Sequence, residues 1–125
     1  MNKDTESQID FDHLNQYVGG DAGLTLEIFG LFQNQVDIWM KSLSIEADDA
    51  IWAGATHSLK GSARAVGAMK LAKICENAET LIGNNNRPGA REVAIDEIES
   101  RIGLVSIEIQ RWEYRHNMRK LRGEV

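Results

Sequence analysis

The chain has 125 residues, 42% of them hydrophobic, and a formal net charge of −5. That length suffices for one domain, residues 1–125, with a core of its own, and a single cysteine excludes an intramolecular disulfide. No apolar run reaches membrane-spanning length and the polar start, residues 1–8, lacks an export leader, so the reducing cytoplasm is the expected compartment.

Pro88 is the one proline, alternating β-branched runs are absent, and helical spacing recurs in every segment, which predicts an all-α chain. Residues 1–9 read as a polar tail. A short first helix starts near Asp10, carries Phe11, Leu14 and Val18, and stops at Gly19-Gly20. Asp21 is placed to cap a second helix over about residues 21–43. This helix has two apolar stripes, Leu24, Ile28 and Leu31 on one and Phe29, Phe32, Val36, Trp39 and Leu43 on the other. So wide an arc fits contact with two neighbouring helices at once, or exposure of part of the second stripe as a docking surface.

Asp48 or Asp49 starts a third helix, and Gly67 ends or bends it. At roughly 100° per residue, Trp52, Ala55, Leu59, Ala63 and Val66 share one arc and form its buried stripe. His57 then points outward, in company with Gly54, Gly61, Arg64 and Ala68, with Lys60 on its flank. Glycine within a helix costs about 0.5–1 kcal/mol relative to alanine, so Gly54 and Gly61 on this face suggest steric clearance for an approaching group. Imidazole is a competent nucleophile near neutral pH, and the Lys60 ammonium offers a point charge to an anion. The chemistry inferred is reversible phosphorylation of His57. An ordinary surface histidine is the competing explanation.

Leu71, Ile74, Cys75, Ala78, Leu81 and Ile82 make the buried face of a fourth helix, with Cys75 a small core residue. Residues 83–89, rich in Gly and Asn, form the clearest loop. A long last helix over about residues 90–119 follows, with a seam of Ile95, Ile98, Ile102, Val105, Ile109 and Trp112. At on the order of 45 Å it outreaches the others, and its end is expected to overhang before a tail at 120–125. Residues 111–122 hold five Arg/Lys against one Glu, so the rest of the chain carries −9. That acidic body argues against general nucleic-acid binding. Arg111, Arg115, Arg119 and Arg122 suit a helix C-terminus, a phosphate-contacting patch or a membrane-surface patch.

His13, His57 and His116 stand too far apart in sequence to suggest a metal clamp. Ser58 faces away from His57, no G-x-S-x-G elbow occurs, and no glycine-rich nucleotide loop of the P-loop or Rossmann type is present. ATP binding and self-phosphorylation are therefore not expected.

The run His57-x-Leu59-Lys60-Gly61-Ser62, followed by Gly67, Leu71, Cys75 and Glu79, closely resembles the histidine-containing phosphotransfer (HPt) family. The resemblance extends upstream to Phe11-Asp12-x-Leu14, Gly19-Gly20-Asp21 and Phe32 and covers roughly residues 10–110. It implies an antiparallel four-helix bundle with a short N-terminal helix and a long C-terminal one. It implies a phosphocarrier of two-component phosphorelays, not an enzyme with its own ATP site, that is phosphorylated on a ring nitrogen of His57. In that family Lys60 would balance phosphate charge and Gly61 would leave room for the partner's aspartate. Glu79 would face the histidine, where it could orient Lys60 or the imidazole, and Arg64 could touch the incoming partner. The implied partners are receiver domains of response regulators or hybrid histidine kinases, docking partly on the second helix. No cofactor of its own is implied, the divalent metal being the receiver's, and neither stable nucleic-acid nor membrane partners are. A helical adaptor that never carries phosphate is the rival of another class, and a nucleic-acid-associated helical protein working through residues 111–122 is the second.

Overall fold

The computed structural model describes residues 7–124. Among them every regular element is helical: α1 (Phe11–Val18), α2 (Ala22–Met40), α3 (Asp49–Ala65), α4 (Met69–Glu79) and α5 (Ala90–Leu121), with a single 3-10 turn at Gly83–Asn85. Three aspartates open the first three helices. Asp10, Asp21 and Asp48 each accept a hydrogen bond from the backbone N–H three residues on, at His13, Leu24 and Ile51. Each satisfies one of the donors a helix start leaves orphaned.

The turn between α3 and α4 positions everything downstream. Gly67 adopts φ +81°, the Ala68 N–H donates to Ala63 O at 2.8 Å and the Gly67 N–H to Arg64 O at 3.1 Å, the paired bonds of a Schellman ending. A Cβ on Gly67 would stand 2.8 Å from the Asp10 carbonyl oxygen, and the Asp10 N–H donates to Gly67 O at 2.9 Å. Glycine is required there twice over, for its backbone angle and for the close approach of the N-terminal segment.

α2 to α5 form an antiparallel bundle, with α3 packed on α2 and α4, and α5 packed on the same two helices from the other side. The core joins Phe29, Phe32, Trp52, Leu59, Leu71 and Ile98 with their smaller neighbours. α1 lies across the start of α2. Arg91, at the start of α5, is buried and clamps three segments: it donates to Leu81 O, Ala47 O and Asp49 Oδ1, and its guanidinium lies 4.6 Å over the Trp52 ring.

Several sequence expectations need correction. α2 ends at Met40 rather than near residue 43, because its last turn tightens and the Leu43 N–H donates to Met40 O, which folds Leu43 into the core. Its stripes are assigned the other way round: Phe29, Phe32 and Val36 are buried, while Leu24 and Leu31 are exposed. α4 ends at Glu79, so Leu81 and Ile82 follow it, and Ile82 is exposed. The end of α5 does not overhang at Trp112 or His116. Trp112 meets Phe29 edge-on at 5.4 Å and stacks on buried His116 at 5.2 Å, since α1 and the start of α2 lengthen the bundle there. α5 continues to Leu121, shortening the expected tail, and Val125 lies outside the described residues. At the other end residues 1–6 lie outside them, but Gln8 and Ile9 are buried rather than part of a tail. Glu108 on α5 accepts from the N–H groups of both.

Arg91→Ala would leave two backbone carbonyls without their donor in a poorly hydrated site. An expected loss of about 2–4 kcal/mol in urea unfolding follows, against about 1 kcal/mol or less for Asp49→Ala, whose side chain is half exposed.

Candidate functional site

α3 turns its stripe of Trp52, Ala55, Leu59, Ala63 and Val66 wholly inward, none of them more than 1% exposed. The opposite face therefore carries His57 into solvent, its side chain 68% exposed. Gly54 and Gly61 flank it one turn either way, and a Cβ added at either would meet nothing within 4 Å. The imidazole stands on open ground, as the sequence implied. Ala68 is not on this face. α3 stops at Ala65, so the helical projection no longer applies, and the Schellman turn tucks Ala68 into the core.

Glu79, the last residue of α4, joins the site together. Its Oε2 lies 3.3 Å from His57 Nδ1, and its Oε1 accepts from Lys60 Nζ at 2.9 Å. Lys60 is only 14% exposed, its stem lying along the helices and its ammonium held by the carboxylate. The hydrogen bond and charge of Lys60, with a smaller contribution from His57, hold the Glu79 carboxyl below its ordinary value of 4.5 against a desolvation that works the other way. Behind them the Cys75 thiol is pushed up to about 12, chiefly by burial and further by the Glu79 charge, so it stays protonated.

The Glu79 carboxylate beside Nδ1 has a chemical consequence. A carboxylate accepts, so it favours the tautomer with the proton on Nδ1, and the lone pair then sits on Nε2. Arg64, one turn beyond Lys60, pairs instead with Glu76 of α4 at 3.1 Å, and Glu76 also accepts from Lys73. Beside Gly61 and Arg64 opens a largely apolar groove of about 640 Å³, lined also by His13, Tyr17, Ile28 and Met69. His13 and Tyr17, in edge contact at 5.3 Å, were missed in the sequence as neighbours of the site. Their spacing of four puts them on one face of α1, but nothing local says that this face shares a groove with α3. Among the described residues no cluster of His, Cys, Asp and Glu could hold a metal ion, and no helix is long and apolar enough to cross a membrane.

A model of the Hpt domain family matches residues 42–113, more than half of the chain and the part that holds His57, Lys60, Gly61 and Glu79. The chain belongs to the Hpt domain family. Among solved structures this Hpt domain is similar to the crystal structure of the histidine phosphotransferase ShpA from Caulobacter crescentus. The TM-score is 0.73 at 24% identity, over 92% of this chain and 99% of that one. At that identity the likeness is one of fold, and it includes α1 and α2, which precede the matched family region. No curated protein matches the Hpt domain's sequence.

Because the folded-state pKa of Glu79 is depressed, its contribution to stability is complete above the ordinary value of 4.5 and is lost as pH falls through the lowered one. Glu79→Gln should therefore melt below wild type at pH 7, by about 1 kcal/mol, and the gap should close as pH is taken well below 4.5. A gap that widens in acid would mean that the carboxylate is not held by its cationic neighbours.

Proposed function

We propose that this Hpt domain carries a phosphoryl group on Nε2 of His57, taking it from the phosphoaspartate of one receiver domain and giving it to the aspartate of another. Membership of the Hpt family makes a phosphotransfer role within a phosphorelay the frame for this reading. The observation that carries the finer claim is the Glu79 carboxylate 3.3 Å from Nδ1 of an otherwise exposed imidazole. It leaves Nε2 as the free nucleophile.

In the forward step the Nε2 lone pair attacks phosphorus and an N–P bond forms. The P–O bond to the donor aspartate breaks, and its electron pair returns to the carboxylate. The imidazole ring gains positive charge while its proton stays on Nδ1, facing Glu79, so the ring enters its charged state beside a fixed anion. The reverse of this step delivers the phosphoryl group to the second receiver. Positioning and electrostatics are the whole contribution of the carrier, and the receiver supplies the divalent cation. Lys60 is engaged by Glu79 at rest, and its flexible stem allows the ammonium to turn toward a phosphate on the ring. The groove lined by His13, Tyr17, Ile28 and Met69, with exposed Leu24 and Leu31 beyond it, is read as the receiver's seat. This is the first α2 stripe, not the second.

Label transfer from a phosphorylated receiver tests the reading. His57→Gln should abolish uptake while stability stays within about 0.5 kcal/mol of wild type, as for other exposed positions. Gly61→Gln should fold, since the space above Gly61 is open, yet transfer far more slowly because its side chain occupies the receiver's approach. Lys60→Ala should slow transfer about tenfold to a hundredfold, with an advantage for wild type that shrinks as salt rises. Uptake by His57→Gln at the wild-type rate would refute the assignment.

A further inference from the structure

α5 is amphipathic twice. Its inner seam of Ile98, Val105 and Ile109 is fully buried. On the opposite side, every seventh residue from Val93 is Ser100, Ile107, Tyr114 and Leu121, and all five are exposed, with Ile107 at 45%, Tyr114 at 66% and Leu121 at 79%. Four residues after each of the first four stand Glu97, Leu104, Arg111 and Met118. Together they make a second seam in the alternating four-three spacing of helices that pair, running about 42 Å along the helix at 1.5 Å per residue. None of the described residues covers it. A groove of about 700 Å³ between α4 and α5, lined by Ile74, Ser100, Leu104 and Ile107, lies at its middle.

Two further observations point to the occupant. Gly103 sits beside the seam in mid-helix, where glycine costs about 0.5–1 kcal/mol, yet a Cβ there would meet nothing within 4 Å. Nothing among the described residues calls for a glycine there, whereas a closely approaching helix would. The charges of the seam are also ordered: Glu97 lies in the first half of α5 and Arg111 in the basic second half. Antiparallel pairing with another α5 suits this order. Setting Leu104 of one copy against Ile107 of the other brings Val93 against Met118, seats Arg111 over small Ser100, and puts each Glu97 within one helical turn of the other copy's Arg111. Parallel pairing would set Glu97 on Glu97 and Arg111 on Arg111.

We propose that the outer face of α5 is a self-association surface, on which two copies of this chain pair antiparallel, back to back. The surface is compatible with the proposed transfer. α3 and α5 occupy opposite corners of the bundle, each packed on α2 and α4, so His57 and the groove beside it face away from the joint. The interface is isologous and closes on itself.

Sedimentation equilibrium of the full chain from about 10 µM to about 1 mM should show the mass rising from 14.0 kDa toward twice that value. Ile107→Glu alters an exposed side chain, so it should fold and stay monomeric with phosphotransfer unchanged. Glu97→Arg should weaken association about tenfold, and Glu97→Arg combined with Arg111→Glu should restore it. A monomer across the whole series overturns the proposal, and so does a dimer indifferent to Ile107→Glu. A monomer in which Ile107→Glu instead lowers uptake from a receiver also overturns it and assigns the stripe to a heterologous partner. None of these outcomes alters the reading of His57, which stands or falls on label transfer by the His57 variant.

Discussion

The site depends on how closely α3 and α4 lie together. The facing residues are small, Ala55 and Ala63 on one helix and Ala72, Cys75 and Ala78 on the other, all buried. Trp52, Leu59 and Leu71 are the large buried residues of the two helices, and the Trp52 indole N–H donates to the Ala78 carbonyl at 2.8 Å. That bond fixes the register of the two helices at the end of α4, next to Glu79. Only with this register can a carboxylate on α4 span both Lys60 and His57 on α3. Larger side chains along the joint would push the helices apart and take Glu79 out of reach, so close packing in the core and electrostatics at the surface are one constraint.

In the proposed transfer the carboxylate would answer two needs that pull against each other. A nucleophilic histidine has to be exposed, yet an exposed ring turns freely and offers either nitrogen. Glu79 limits the ring from one side while leaving the other to solvent. Its own charge is stabilised by Lys60, whose ammonium is thereby held beside the place where a phosphate would arrive, already partly desolvated. Arg91 secures the same end of the helix pair, just beyond Glu79, by tying Asp49, Ala47 and Leu81 together.

Features that depend on local chain chemistry were legible in the sequence. The aspartate caps, the left-handed glycines at the ends of α1 and α3, and the inward stripe opposite His57 all follow from residues within a turn or two of one another. Ala68 marks the limit of that reasoning, since a projection carried past the Schellman turn put a core residue on the surface. Which stripe of α2 would be covered was not legible either, because periodicity gives the angle between stripes and not the position of neighbouring helices. The same applies to Ile9, pinned by a glutamate 99 residues away. Nothing near Arg91 in the chain signals that its side chain reaches Ala47, Asp49 and Leu81. Glu79 was reached through the family pattern; the residues alone gave no sign that it joins His57 to Lys60 across 19 residues of chain.

In the proposed transfer Glu79 selects the nitrogen that carries the phosphoryl group. This selection is tested most directly by nitrogen-15 NMR of the phosphorylated protein with labelled histidine. Of the three histidines, the account predicts that only His57 changes, with phosphorus coupled to Nε2 and the proton retained on Nδ1. Phosphorus on Nδ1, or on His13 or His116, would contradict it.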